Sequence, residues 1–220
     1  MATKAVFFDI DGTLVDSNRW HIETWHRVFA ATGRPVDRER IAEQIGKGAD
    51  NLVPTLFPEM SDDQAEELGT LHGRFFKADY LDRVRPFPHA RDLLQRVHDS
   101  GRRVVFASSA SGEELDHYID LLDARSLVDL STTKDDVETT KPAPDIFATA
   151  RDKADVDPAE VVVIGDAPYD MQAAAKCGMH RVGVRSGGFD DAVLTEAGAQ
   201  LLYDDVAAIL RDFDASPLSR

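Results

Sequence analysis

Three short apolar runs constrain this chain most. They are Ala5–Phe8, Arg103–Ala107 and Val161–Ile164, all rich in valine or phenylalanine. Each has the length and β-former content of a buried strand. Each also stops abruptly on polar residues: Asp9 and Asp11 after the first, Ser108 and Ser109 after the second, Gly165 and Asp166 after the third. Stretches of helical periodicity separate them. Alternating strand and helix implies a parallel sheet covered on both faces. In such sheets ligands bind beyond the carboxyl ends of the strands. A fourth stretch, Thr-Lys-Pro-Ala-Pro-Asp around Lys141, precedes another helical pattern. Carboxylates, a hydroxyl and a lysine are therefore expected at one place.

Two aspartates at one strand end are costly alone. Carboxylates about 4 Å apart repel by roughly 4 kcal/mol at an effective dielectric near 20. A hard divalent cation reverses that repulsion, and Mg²⁺ is held by one or two carboxylates with phosphate and water. A surface turn with two aspartates is the other reading of this pattern taken alone.

Asp9-Ile-Asp11-Gly-Thr-Leu-Val-Asp-Ser, the serine ending the second strand, Lys141-Pro-Ala-Pro-Asp-Ile-Phe and Gly165-Asp166-x-x-x-Asp170 resemble the four motifs of the haloacid dehalogenase superfamily. They stand in that family's order and span nearly the whole chain. The nearest likeness is to the phosphoglycolate phosphatase and β-phosphoglucomutase branch. The resemblance implies a doubly wound, Rossmann-like α/β core with an inserted α-helical cap. Residues 1–15 and 87–220 would form the core and 16–86 the cap, joined by linkers near 14–17 and 84–88.

The cap stretch reads as helical throughout. Asn18–Thr32 has apolar residues at helical spacing, stopped by Gly33 and Pro35. Short helices are expected over 38–45 and 50–56. Ser61-Asp-Asp-Gln64 is a capping box opening a helix with the stripe Ala65, Leu68, Leu71, His72, Phe75 and Phe76. Trp20, Trp25, Phe75 and Phe76 are expected in the cap's own core. Beyond residue 89, strands are expected near 127–131, 180–184 and 199–203, with a frayed tail after Asp214.

The resemblance also implies roles. Asp9 would be the nucleophile, forming an aspartyl-phosphate, or otherwise a metal ligand only. Asp11 would be general acid and base, its backbone carbonyl on the metal. Asp166 would complete the Mg²⁺ ligands, with Asp170 supporting the metal waters or Lys141. Ser108, Ser109 and Lys141 would bind the phosphoryl group. In the cap, Gly46-Lys47-Gly48 resembles the substrate-specificity loop. His21 would touch substrate or Asp11, or pack as a helix histidine. Arg74 and Lys77 could face the cleft. No arginine follows Gly48 where sugar-phosphate mutases hold a second phosphate, which favours a phosphatase over the mutase. A signalling receiver module or a non-catalytic binding protein are remoter alternatives.

Forty acidic residues against 25 basic give a net charge of −15. That charge argues against nucleic acid or an anionic membrane as partner; it also repels anions at long range, so the small phosphorylated metabolite that the resemblance implies would need a locally positive site. The single cysteine, Cys177, excludes an intrachain disulfide. No leader pattern or spanning apolar segment is read. The expectation is a cytoplasmic monomer.

Overall fold

The computed structural model describes residues 2–220. The elements, in chain order, are β1 (Ala5–Phe8), α1 (Asn18–Ala31), α2 (Arg38–Ala42), α3 (Ala49–Leu56), α4 (Asp62–Asp79), α5 (Ala90–Asp99), β2 (Arg103–Ala107) and α6 (Gly112–Leu121). There follow β3 (Leu130–Thr132), α7 (Asp145–Ala154), β4 (Val161–Gly165), α8 (Pro168–Lys176), β5 (His180–Val184), α9 (Asp191–Glu196), β6 (Leu201–Tyr203) and α10 (Val206–Arg211).

The six strands form one sheet in the order β3-β2-β1-β4-β5-β6, every neighbouring pair parallel. Side chains of a strand alternate between faces, and this divides the core in two. Val6, Phe8, Val104, Phe106, Val162 and Ile164 face α5, α6 and α10. Ala5, Phe7, Val105, Ala107, Val161 and Val163 face α7 and α8. The fold is thus an α/β doubly wound sheet with a helical insertion between β1 and α5. β1 is central, and the chain leaves it toward β2 on one side and returns as β4 on the other. Its carboxyl end is the switch point where such sheets bind ligands.

The insertion has its own apolar cluster, including Trp25, Val28, Phe29, Ile41, Leu52 and Leu68. Ser61 caps α4 as expected, accepting from the Gln64 N–H while Gln64 reaches back to the Ser61 N–H. Two aromatic expectations need correction. Phe76 is buried in the cluster that includes Phe8 and Leu93, and Trp20 packs against it, stacked on Tyr80 at 5.3 Å. They lie at the junction with the sheet, where both chain crossings leave apolar surface to cover. Trp25 and Phe75 remain with the insertion.

The expected frayed tail is also corrected. Phe213–Ala215 and Pro217–Ser219 form tight turns, with Ser216 and Leu218 fully buried. The Thr3 N–H donates to the Arg220 carbonyl at 2.6 Å. The tail is short, but Leu218 and Phe213 complete the apolar layer beneath α5 and α10. β3 and β6 are shorter than read, at Leu130–Thr132 and Leu201–Tyr203, as suits edge strands.

Candidate active site

The chain's chemistry collects at the carboxyl end of β1. Asp9 follows β1 directly, and its N–H donates to the Ile164 carbonyl of β4 at 2.9 Å. The residue is only 6% exposed. The Lys141 ammonium donates to Asp9 Oδ1 at 2.5 Å and to the Ala107 carbonyl, at the end of β2, at 2.8 Å. It also lies 2.7 Å from Asp170 Oδ1. One fully buried lysine thus joins the ends of β1 and β2 to the start of α8. Burial works against the ammonium, yet Asp170 and Asp9 raise its pKa.

Asp166 follows β4. Thr13 Oγ1 donates to its Oδ1 at 3.1 Å, and Asn18 Nδ2 to its Oδ2 at 2.9 Å. Asp170 accepts from the Ala167 N–H at 3.1 Å, so it serves both the opening turn of α8 and Lys141. Gly12 makes the approach possible. It has φ of +73°, and a Cβ there would lie 2.2 Å from Asp166 Oδ2.

Asp9, Asp166 and Asp170 each offer an oxygen within 4.8 Å of the others. Three buried carboxylates crowd round one ammonium. Burial pushes Asp9 well above the usual carboxylate range despite Lys141, with Asp170, Asp166 and Asp11 adding to the rise. Burial, then Asp170, pushes Asp166 up to about 7. Buried oxygen donors with excess negative charge fit a hard divalent cation.

Asp11 stands apart from this cluster. Its Oδ1 accepts from Ser17 Oγ at 2.5 Å and lies 3.1 Å from His21 Nε2. Of the readings open for His21, the structure realises contact with Asp11. Against burial, His21 and Ser17 hold Asp11 below its ordinary pKa. Against burial, Asp11 likewise raises His21.

A cleft of about 320 Å³ opens over these residues, lined among others by Asp9, Asp11, His21, Lys47, Ser109 and Glu114. Gly46 and Gly48 line it too, as do Arg74, Lys77 and Lys134. Lys47 Nζ is tied to Gln44 Oε1 at 2.7 Å and Thr55 Oγ1 at 3.0 Å, 4.6 Å from the Tyr169 ring centroid. No carboxylate neutralises it among the described residues. Lys77 instead pairs with Glu113 at 2.5 Å. Ser108 is buried and accepts from the Ala110 N–H at 3.0 Å, shaping the turn that exposes Ser109.

Several partners were not legible in the sequence. Asn18 reaches Asp166, and Glu114 reaches His21 Nε2 at 3.6 Å. Asp50 accepts from the Thr140 N–H at 2.8 Å and from Thr140 Oγ1 at 2.5 Å. The Gly48 N–H and Asn51 Nδ2 also bond Thr140, each at 3.0 Å. The insertion is thus clasped to the residue just before Lys141.

The family described as haloacid dehalogenase-like hydrolase matches residues 6–184. The chain belongs to that family. Among its relatives, a phosphorylated carbohydrates phosphatase of Thermotoga maritima is 26% identical, with 95% of this chain and 99% of the relative covered. A phosphoglycolate phosphatase of Salmonella typhi is 26% identical, with 94% and 91% covered. Among solved structures, a hydrolase from Pseudomonas syringae superposes with a TM-score of 0.90 at 31% identity, covering 97% of this chain and 99% of that one. A Bacteroides vulgatus protein provisionally assigned as a β-phosphoglucomutase shares the fold, with a TM-score of 0.89 at 24% identity and coverage of 100% and 91%. In this member of the family Asp9, Lys141, Asp166 and Asp170 gather beyond the carboxyl ends of the central strands. No helix among the described residues is long and apolar enough to cross a membrane.

Proposed function

We propose that this family member is a Mg²⁺-dependent phosphatase acting on a small phosphate monoester through an aspartyl-phosphate on Asp9. The carrying observation is the buried Asp9 carboxylate, bonded to Lys141 and open to the cleft. A nucleophile at a sheet's ligand-binding edge, with a fixed cation beside it, suits attack on an anionic phosphoryl group.

Asp9, Asp166 and the Asp11 backbone carbonyl would hold Mg²⁺, which would offset the excess carboxylate charge and draw the phosphoryl oxygens toward Asp9. Lys141 steadies Asp9 and the transferring oxygens together. Ser108 and Ser109 shape the phosphoryl pocket, and Asp170 fixes Lys141. Asp9 attacks phosphorus as the ester P–O bond breaks. Asp11, supplied from its shared proton with His21, protonates the departing alkoxide. Water then attacks phosphorus, Asp11 accepts its proton, and Asp9 is released with inorganic phosphate. Residues 16–86 act as a cap that excludes bulk water, with Gly46, Lys47 and Gly48 facing the leaving group.

The mutase alternative needs a grip for a second phosphate. Asp50 and Asn51, the positions after Gly48 and Ala49, are bonded to Thr140 instead, and Asp50 adds negative charge. A soluble metabolic enzyme of the cytoplasm, acting as a monomer, fits this reading.

The test is phosphate release across a panel of monoesters, with Mg²⁺ or EDTA, for wild type and Asp9→Asn. Release that requires both Mg²⁺ and Asp9 is expected. Undiminished release by folded Asp9→Asn would overturn the proposal.

A further inference from the structure

Glu114 has no part in the chemistry above, yet it is buried beside it. A glutamate is almost never fully buried unless paired, and this one is 7% exposed. It lies in the first turn of α6, where an acid gains from the helix dipole without being buried. Its neighbour Glu113 does that, on the outside, with 76% of its side chain exposed. Glu114 turns inward. The Ser111 hydroxyl accepts the Glu114 N–H at 3.4 Å, which sets where α6 begins and so where Glu114 points. Tyr118, one helical turn on and fully buried, donates its hydroxyl to Glu114 Oε1 at 3.2 Å.

The same Oε1 lies 3.6 Å from His21 Nε2, the nitrogen that meets Asp11 Oδ1 at 3.1 Å. The imidazole is held on its other sides too. Phe76 stacks on it at 4.0 Å, and His72 Nε2 lies 3.4 Å from its Nδ1. Nε2 thus has a carboxylate on each flank, one on the strand-end loop and one on α6. Without Glu114 the ring would keep its stacking partner and its contact with Asp11 but lose the carboxyl on its α6 flank.

We propose that Glu114, braced by Tyr118, is a positioning residue that orients His21 and through it the Asp11 carboxylate. The proposal rests on the acid–base role given to Asp11 above. Asp11 must meet a leaving oxygen in the first step and a water in the second. A carboxylate free to swing would miss both, and general acid–base help depends on that reach.

The experiment compares Glu114→Ala and Glu114→Gln with wild type by two readouts. The first is the His21 ring signals in ¹⁵N-histidine-labelled protein, identified with His21→Gln. Glu114→Ala is expected to shift the His21 nitrogens, and Glu114→Gln to shift them less. Unmoved His21 signals in folded Glu114→Ala would overturn the proposal whatever the activity. The second readout is kinetic. With an alkyl phosphate, kcat of Glu114→Ala is expected to fall on the order of 10-fold or more, within the range of acid–base assistance, while KM changes little. With 2,4-dinitrophenyl phosphate the leaving phenolate needs no proton. There the variant is expected to release one equivalent per site in a fast first turnover, then continue slowly. Equal slowing of that first turnover and of the alkyl ester would mean a collapsed site and would overturn the proposal. If wild type hydrolyses no ester, the phosphatase reading fails, and the ring signals still decide whether Glu114 positions His21.

Discussion

Lys141 and Asp9 are 132 positions apart in the chain and 2.5 Å apart in the structure, with the ammonium buried among Asp9, Asp170 and the Ala107 carbonyl. Removing one partner of a buried ion pair typically costs about 3–5 kcal/mol. Here the loss leaves three carboxylates facing one another. Lys141→Met is expected to lower unfolding free energy by at least about 3 kcal/mol, measured by urea denaturation in EDTA, and to regain part of it in Mg²⁺. An unchanged denaturation midpoint would mean the lysine does not hold the cluster together.

The carboxylates themselves give a pH dependence. Asp166 is raised to about 7 from an ordinary 3.8, and Asp9 is raised as well. A group whose folded pKa lies above its unfolded one stabilises the fold most below the unfolded pKa. That contribution is lost as pH rises through the folded value. Metal-free protein is therefore expected to lose stability as pH rises from about 4 to about 7. Glu114, raised to about 7 chiefly by burial, adds to the slope in the same sense. Saturating Mg²⁺ is expected to flatten the Asp9 and Asp166 part. Denaturation midpoints at several pH values, with Mg²⁺ and with EDTA, give the comparison.

Gly12→Ala tests the close approach beneath Asp166. The substitution strains a backbone at φ +73° and puts a methyl against Asp166 Oδ2 and Asn18 Nδ2. Asp166 must move, so Mg²⁺ affinity is expected to fall by roughly 10-fold or more, in the range seen when ligand-orienting contacts are lost. Calorimetric titration of Mg²⁺ measures this without substrate. Wild-type affinity would show that Asp166 is not a ligand.

Asp50→Ala removes two of the bonds that clasp the insertion to Thr140. The expected result is a KM raised several-fold with a smaller change in kcat, together with faster proteolysis of the 46–50 loop. No change in either would make the clasp incidental.

The tail offers a packing test. Leu218 is fully buried, and a buried leucine cut to alanine typically costs about 2–5 kcal/mol. Leu218→Ala is expected to fall in that range. A truly frayed tail would show no loss.

What was legible in the sequence followed from local chemistry. The strands announced themselves as apolar runs, and the Ser61 box placed the start of α4. Asp9, Lys141, Asp166 and Asp170 could be expected together because each follows or precedes a strand or helix of one parallel sheet. Glu114 could not be foreseen, because its sequence neighbourhood is that of any acidic helix start. Only the register of α6 turns it inward rather than outward like Glu113. Asn18 and Asp50 were hidden for the same reason, since their partners Asp166 and Thr140 lie 148 and 90 positions away. The tail after Asp214 was misread because polarity along it conceals a buried apolar residue, Leu218.

The central place of β1 sets an order of events during synthesis. The strand leaves the ribosome before either of its partners, and its hydrogen-bonding edges are filled only by Arg103–Ala107 and Val161–Gly165. Helices α1–α4 emerge in between and can bury their own cluster from nearby residues, whereas distant pairings wait on loop closure. The segment bearing Asp9 is thus made before its partners and secured late. Until β4 arrives it presents an unpaired apolar edge, so a stalled or truncated chain ending before Val161 is the form most exposed to aggregation.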